Sequence, residues 1–207
     1  MSADDDPTDD TRPYFDRLYD GSDDPYGLKL RWYEERKRGL IMAALPGRRY
    51  RRAFEPGCGV GELTIALSTR CEAVQASDRS ARAVEIARQR ASGLRNVRIE
   101  RQDLPADWPS DGTAFDLIVV GELGYFLSRN AMQALARCCE RSLDADGTLV
   151  ACDWRPDFAQ RRLATDWVHA QLAALGLARI VRHEEDDFLL QVWSRDERSV
   201  AQQEGIR

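Results

Sequence analysis

The chain has no apolar run long enough to cross a membrane and no basic start leading into an apolar core. Its 207 residues are therefore expected to form a soluble, cytoplasmic protein with no membrane partner. Metal ligands are scarce. The two histidines are His169 and His183, no His-x-x-x-His or carboxylate cluster has metal spacing, and no metal is expected. Five cysteines, Cys58, Cys71, Cys138, Cys139 and Cys152, are odd in number and lack Cys-x-x-Cys spacing, so neither a zinc site nor a disulfide framework is indicated. Reduced thiols in packed positions are expected instead. Lysine is nearly absent beside abundant arginine, a bias that rises together with Ala and Asp and so reflects a GC-rich genome rather than a binding surface. A net charge of -5 argues against general affinity for nucleic acid, and no nucleic-acid partner is expected. Internal repeats and interdomain linkers are missing too, which leaves one α/β domain of ordinary size, a monomer or weak homodimer.

What the chain does have is Ala53-Phe54-Glu55-Pro56-Gly57-Cys58-Gly59-Val60-Gly61-Glu62-Leu63, which reads as a strand, a glycine-rich turn and a helix. Alternate glycines let the main chain adopt conformations closed to other residues and let a ligand lie directly on the backbone. The Gly-x-Gly-x-x-Gly fingerprint of dinucleotide sites needs a glycine where this chain has Glu62, so hydride transfer with a nicotinamide is disfavoured. An acidic group at Glu55 would also repel a pyrophosphate and attract an ammonium or sulfonium.

Along the chain, residues 1–12 carry five aspartates and almost nothing apolar, and are expected to be a disordered acidic tail. Residues 13–195 form the single domain. Within it, residues 13–47 read as two helices separated by a Gly21-Ser22-Asp23-Asp24-Pro25 break and stopped by Pro46-Gly47, with residues 14–38 rich in aromatic and charged side chains that suit a lid. Trp32 and Tyr33 read equally well as anchors of the second helix on a sheet. The strand Ala73–Asp78 ends in a carboxylate ~20 residues after the glycine loop, where Rossmann-like folds hold a ribose diol, and the same Asp78 could cap the helix of residues 80–91. A short strand at 97–100 leads into a loop with Asp103. Phe115–Val120 is almost continuously apolar, as buried parallel strands are, and it empties into Gly121-Glu122-Leu123-Gly124-Tyr125-Phe126. A helix at 130–143, a turn at Ala145-Asp146-Gly147, a strand at 148–152, a helix at 156–177 and an antiparallel pair at 178–185 and 187–194 follow, then a polar tail at 196–207.

The Glu-x-Gly-x-Gly-x-Gly loop, Asp78, Asp103 and the exit of the fourth strand together resemble the class I S-adenosylmethionine-dependent methyltransferases. The stretches Ser22–Tyr26, Tyr33–Lys37, Phe54–Cys58, Phe115–Val120 and Trp154-Arg155 are similar to the NodS family in particular. That resemblance implies a Rossmann-like, seven-stranded, mostly parallel sheet in the order 3-2-1-4-5-7-6, with helices on both faces and an N-terminal helical lid. It implies S-adenosylmethionine as cofactor, leaving as S-adenosylhomocysteine, held by Tyr26, Trp32, Tyr33 and Lys37 from the lid. Glu55, Pro56, Gly57, Cys58, Gly59 and Gly61 of the loop, Asp78 and Arg79, Gln102, Asp103 and Leu104, and Gly121, Glu122 and Leu123 complete the implied cofactor set. Tyr125, Phe126, Trp154 and His183 are the implied acceptor-binding residues. NodS enzymes methylate the free amine of a deacetylated chitooligosaccharide, so the implied acceptor is a small-molecule amine or amino sugar. The chain departs from the family at Gly121, in the Glu122-Leu123-Gly124-Tyr125-Phe126 pattern and at Asp153.

Methyl transfer from a sulfonium needs alignment rather than a covalent residue. An amine acceptor must be neutral to attack, and Glu122, Asp153, His169 and His183 are the candidates to take its proton or hold it, the first three as catalytic residues. Two rival functions remain: O-methylation of a small metabolite, and binding of S-adenosylmethionine without catalysis.

Overall fold

The structure, a computed structural model, describes residues 12–109, 112 and 114–207, so all of the expected acidic tail except Arg12 lies outside the described residues. The element order begins with α1 (Arg12–Gly21) and α2 (Trp32–Ala44), followed by β1 (Tyr50–Pro56), α3 (Glu62–Ser68), β2 (Cys71–Asp78), α4 (Ala81–Arg90) and β3 (Val97–Arg101). The second half holds β4 (Phe115–Gly121), a 3-10 turn (Gly124–Phe126), α5 (Arg129–Ser142), β5 (Leu143–Trp154), α6 (Thr165–Ala173), β6 (Ala178–Glu184), β7 (Phe188–Ser194) and α7 (Val200–Gln203). The strands form one seven-stranded sheet in the order β3-β2-β1-β4-β5-β7-β6. Strands β1 to β5 pair in parallel, and β7 runs antiparallel to both β5 and β6. Sequence reversal across β1 and β4 opens a crevice at their carboxyl ends, where Glu55 and Gly121 leave the sheet.

The continuous apolar run of β4 has a physical reason in the layers above and below it. Leu117 and Val119 point to one face, against Ile41 of α2, Leu45 just after it and Leu67 of α3, while Ile118 and Val120 point to the other, against Met132 and Leu135 of α5 and Val168 and Leu172 of α6. The Ser80 side chain, accepting from Ala83 N at 3.3 Å, caps α4; Asp78 therefore does not.

Three sequence expectations change. The helix expected over 156–177 shrinks to Thr165–Ala173, because the preceding loop is folded around Arg161, whose guanidinium donates to Trp154 O at 2.6 Å, Pro156 O at 3.2 Å and Thr165 Oγ1 at 3.0 Å. Leu163 is buried from that loop, which mimics helical spacing in the sequence. The turn expected at 145–147 is instead a register irregularity inside β5, which extends to Leu143. The tail after residue 195 contains α7, closed by a capping box between Ser199 and Gln202.

Candidate active site

The glycine loop leaves β1 with Gly57, Gly59 and Gly61 all at positive φ, 77°, 52° and 84°. These values are costly for residues with a Cβ, which is why the turn is spelled in glycine. Close approach is tightest at Gly61, where a Cβ would sit 3.1 Å from the Ala87 Cβ; on Gly59 it would make ordinary contact, 3.4 Å from the Tyr19 hydroxyl beneath the N-terminal segment. Leu123, just past β4, lies on the other side of the loop, 3.4 Å from where a Cβ on Gly57 would be.

Glu55, at the end of β1, is buried and takes one side-chain hydrogen bond, from Thr64 Oγ1 at 2.5 Å. Burial, only partly opposed by that bond, pushes its carboxyl up to about 8. Asp78 accepts from Gly59 N and from Ser80 N, each at 2.9 Å, so it braces the loop from the end of β2; burial raises its carboxyl, and these backbone bonds oppose the rise. Cys58 is shut in between these carboxylates, and burial pushes its thiol well up, so it is no nucleophile. On the next strand exit, Gln102 N donates to Asp78 O at 3.0 Å, Gln102 Oε1 is buried without a partner among the described residues, and the exposed Asp103 lies 3.4 Å from Arg79. Leu104 packs at the edge of the core beside them.

Glu122 has a left-handed backbone, φ 53°, the non-glycine exception among the described residues. Its carboxylate accepts from three elements: Lys37 Nζ of α2 at 2.7 Å, the Tyr125 hydroxyl of the 3-10 turn, and Trp154 N of β5 at 3.1 Å. Tyr125, Phe126 and Phe158 form an edge-to-face aromatic group next to it, with Arg161 5.0 Å above the Tyr125 ring and Phe15 of α1 4.9 Å from Phe126. Trp154 meets Tyr33 edge-on at 5.7 Å.

The structure therefore gathers Glu55, Gly57, Gly59, Gly61 and Asp78 into one loop, and Glu122, Tyr125, Phe126 and Trp154 into a second group across the crevice. Other candidates are placed elsewhere. Asp153 and His169 come together, with His169 Nε2 3.1 Å from Asp153 Oδ2 and Nδ1 2.9 Å from Gln191 Oε1, but both are buried beneath the sheet exit. That corrects the expectation that they face an acceptor. His183 lies on the edge strand β6, two strands beyond β5, stacked on Phe188 and 2.6 Å from Glu185, away from the β4 exit. Trp32 is 70% exposed at the start of α2, so nothing in the fold holds it over the loop. Residues that sequence reasoning missed are Thr64, which bonds Glu55, and Tyr19 with Leu28, which cover Gly59. Only the polar Thr64 one turn into an apolar helix gave a signal.

A nucleoside cofactor with an aminoacyl tail fits these residues. The buried Glu55 suits an ammonium, the glycines leave a strip of bare backbone, and Gln102 Oε1 is a buried polar atom without a partner among the described residues. The fold and this loop define a Rossmann-like methyltransferase domain. The model of a methyltransferase domain matches residues 53–147. A solved methyltransferase structure from Pseudomonas syringae is 45% identical, with 79% of this chain and 99% of that one covered and a TM-score of 0.71. The chain belongs to the methyltransferase family, and it is an S-adenosylmethionine-dependent enzyme. The N-methyltransferase NodS from Bradyrhizobium japonicum, solved with S-adenosylhomocysteine, shares the fold at 24% identity, 90% and 99% coverage and a TM-score of 0.79. A TehB-like S-adenosylmethionine-dependent methyltransferase from Corynebacterium glutamicum is 25% identical, with 76% and 85% covered and a TM-score of 0.60. No curated protein sequence matches the chain. Among the described residues, no helix is long and apolar enough to cross a membrane, and no cluster of His, Cys, Asp and Glu could hold a metal ion.

Proposed function

We propose that this enzyme N-methylates a small-molecule amine or amino sugar, with the acceptor seated between Glu122 and the aromatic group of Tyr125, Phe126 and Trp154. The observation that carries this reading is the Glu122 carboxylate at the β4 exit, fixed across the crevice from the glycine loop by donors from three elements. S-adenosylmethionine supplies an activated methyl group when bound.

The chain's own part is binding and alignment. Glu55 would hold the cofactor's ammonium, and Asp78 keeps the loop in shape for it. Glu122 attracts an ammonium, orients it and accepts its proton as the pocket closes, leaving the neutral amine to attack, and the aromatic side chains exclude water and present ring faces to a cation. Alignment of this kind supplies several kcal/mol of barrier reduction, about 7 or more in the best cases. NodS, an N-methyltransferase with the same fold, lends the amine class its support.

The test is transfer of labelled methyl from S-adenosylmethionine to a panel of amino sugars, simple amines and phenols. The reading expects label in amines with little in phenols; label in phenols alone would overturn it.

A further inference from the structure

Lys37 is one of two lysines in the chain, and its ammonium is buried, with 7% of the side chain exposed. Burial works to lower it, but the carboxylates of Glu122 and Glu34 outweigh burial and raise it, so it is a buried, fully charged group. It lies 2.7 Å from Glu122 Oε1 and 3.1 Å from Glu34 Oε2, with the Tyr33 ring 5.1 Å away. A methionine would fill the same space against Ile41 and Tyr33 without the cost of desolvating a charge, so packing alone does not account for an ammonium here.

Glu122 explains it. The left-handed backbone there is strained and has to be overdetermined by its surroundings. Tyr125 and Trp154 N both donate to Oε2, which leaves Lys37 the one donor on Oε1 among the described residues. Without Lys37 the carboxylate can rotate about its remaining bonds, and the aim of Oε1 is lost. The adjacent Arg36 is engaged elsewhere, in a bidentate pair with Glu185 at 2.9 and 2.6 Å, and so cannot take over.

We infer that Lys37 is a positioning residue for methyl transfer: from helix α2 it fixes the Glu122 carboxylate at the β4 exit and does not itself hold the cofactor. The inference rests on the amine reading for its kinetic consequence, but the geometry can be tested without any acceptor.

Three measurements on K37M and K37R decide it. Amide exchange followed by NMR reads the Trp154 N–H that donates to Glu122, with Val150 in the interior of β5 as an internal control. K37M should weaken Trp154 protection by about fivefold or more while leaving Val150 unchanged, and K37R should restore it. Calorimetry with S-adenosylhomocysteine should give affinities within about twofold of wild type for both variants. With an amine that the wild type methylates, K37M should lower kcat by about 10- to 100-fold with KM little changed, and K37R should recover much of the loss. Unchanged Trp154 protection in K37M overturns the inference, and a loss of S-adenosylhomocysteine affinity above about tenfold overturns it in favour of a cofactor contact. If K37M does not fold, the milder K37Q takes its place with the same criteria. Failure of the wild type to methylate any amine sinks the amine reading alone, because the exchange and calorimetry still decide the role of Lys37.

Discussion

Glu55 is a carboxyl group with one hydrogen bond in a closed, water-poor corner, and its titration follows from that. Its folded value of about 8 stands above the ordinary one, so the proton is held in the ligand-free protein at neutral pH. The sign for stability is that of a raised group. The contribution is full below the unfolded value and is lost as pH rises through about 8, so the ligand-free protein should weaken over that window and E55Q should not. An ammonium arriving at Glu55 reverses the preference and releases the proton. S-adenosylhomocysteine affinity, read by calorimetry, should therefore rise toward about tenfold per pH unit between about pH 6 and pH 7.5 in the wild type and stay nearly flat in E55Q. Equal slopes would place the ammonium elsewhere. At Gly59 the constraint is steric: a valine must adopt φ near 52° with its side chain in the gap under Tyr19. Gly59→Val should fold and lose S-adenosylhomocysteine binding by about 100-fold or more; binding equal to the parent would refute this placement of the cofactor.

The N-terminal elements divide differently from the sequence expectation of one lid over residues 13–47. Helix α2 buries Ile41, and the chain just after it buries Leu45, in the same cluster as Leu117 and Val119, and Tyr33 of α2 meets Trp154 and Phe188, so the helix belongs to the body of the domain. The cover is α1 with the turn after it: Tyr19 is buried with Val60, Ala83 and Ile86, and Leu28 lies 3.7 Å from a Cβ on Gly59. That turn is shaped by Asp24, whose carboxylate accepts from Leu28 N at 2.8 Å and Lys29 N at 3.0 Å. D24A should loosen the cover without touching the core. It should weaken S-adenosylhomocysteine binding by about fivefold to tenfold, and hydrogen exchange should quicken in residues 14–31 but not in α2. Exchange across residues 14–31 that saturating S-adenosylhomocysteine leaves unchanged would remove the closing role from this segment. The sequence shows these helices because their apolar spacing is local; which of them packs on the sheet depends on partners 70 residues and more away, such as Leu117.

Across the whole molecule, legibility follows how far a feature reaches along the chain. The glycine loop can be read because each glycine records a backbone angle at its own position, and the buried β4 because its apolar run is continuous. Glu122 could be placed at a strand exit, but not its bonds to Lys37, 85 residues earlier, or to Trp154, 32 residues later. Asp153 and His169 read as acid–base candidates because a sequence does not record that α6 turns its own His169 onto Asp153 of β5 and buries both. The core itself makes an ordinary prediction: Leu117→Ala, at a fully buried site on the central strand, should lower unfolding stability by about 2–5 kcal/mol in denaturant titration. The account as a whole turns on whether the β4 exit faces the reacting amine. The direct measurement is the single-turnover rate of methyl transfer to an amine at saturating cofactor and acceptor, in wild type and in Glu122→Gln. An amide keeps the shape and can still accept from Lys37, but it lacks the charge and cannot take the amine's proton, so the rate should fall by about 100-fold or more while S-adenosylhomocysteine affinity stays within about twofold. A loss of less than about threefold would contradict the account and leave Glu122 as a structural residue of the fold.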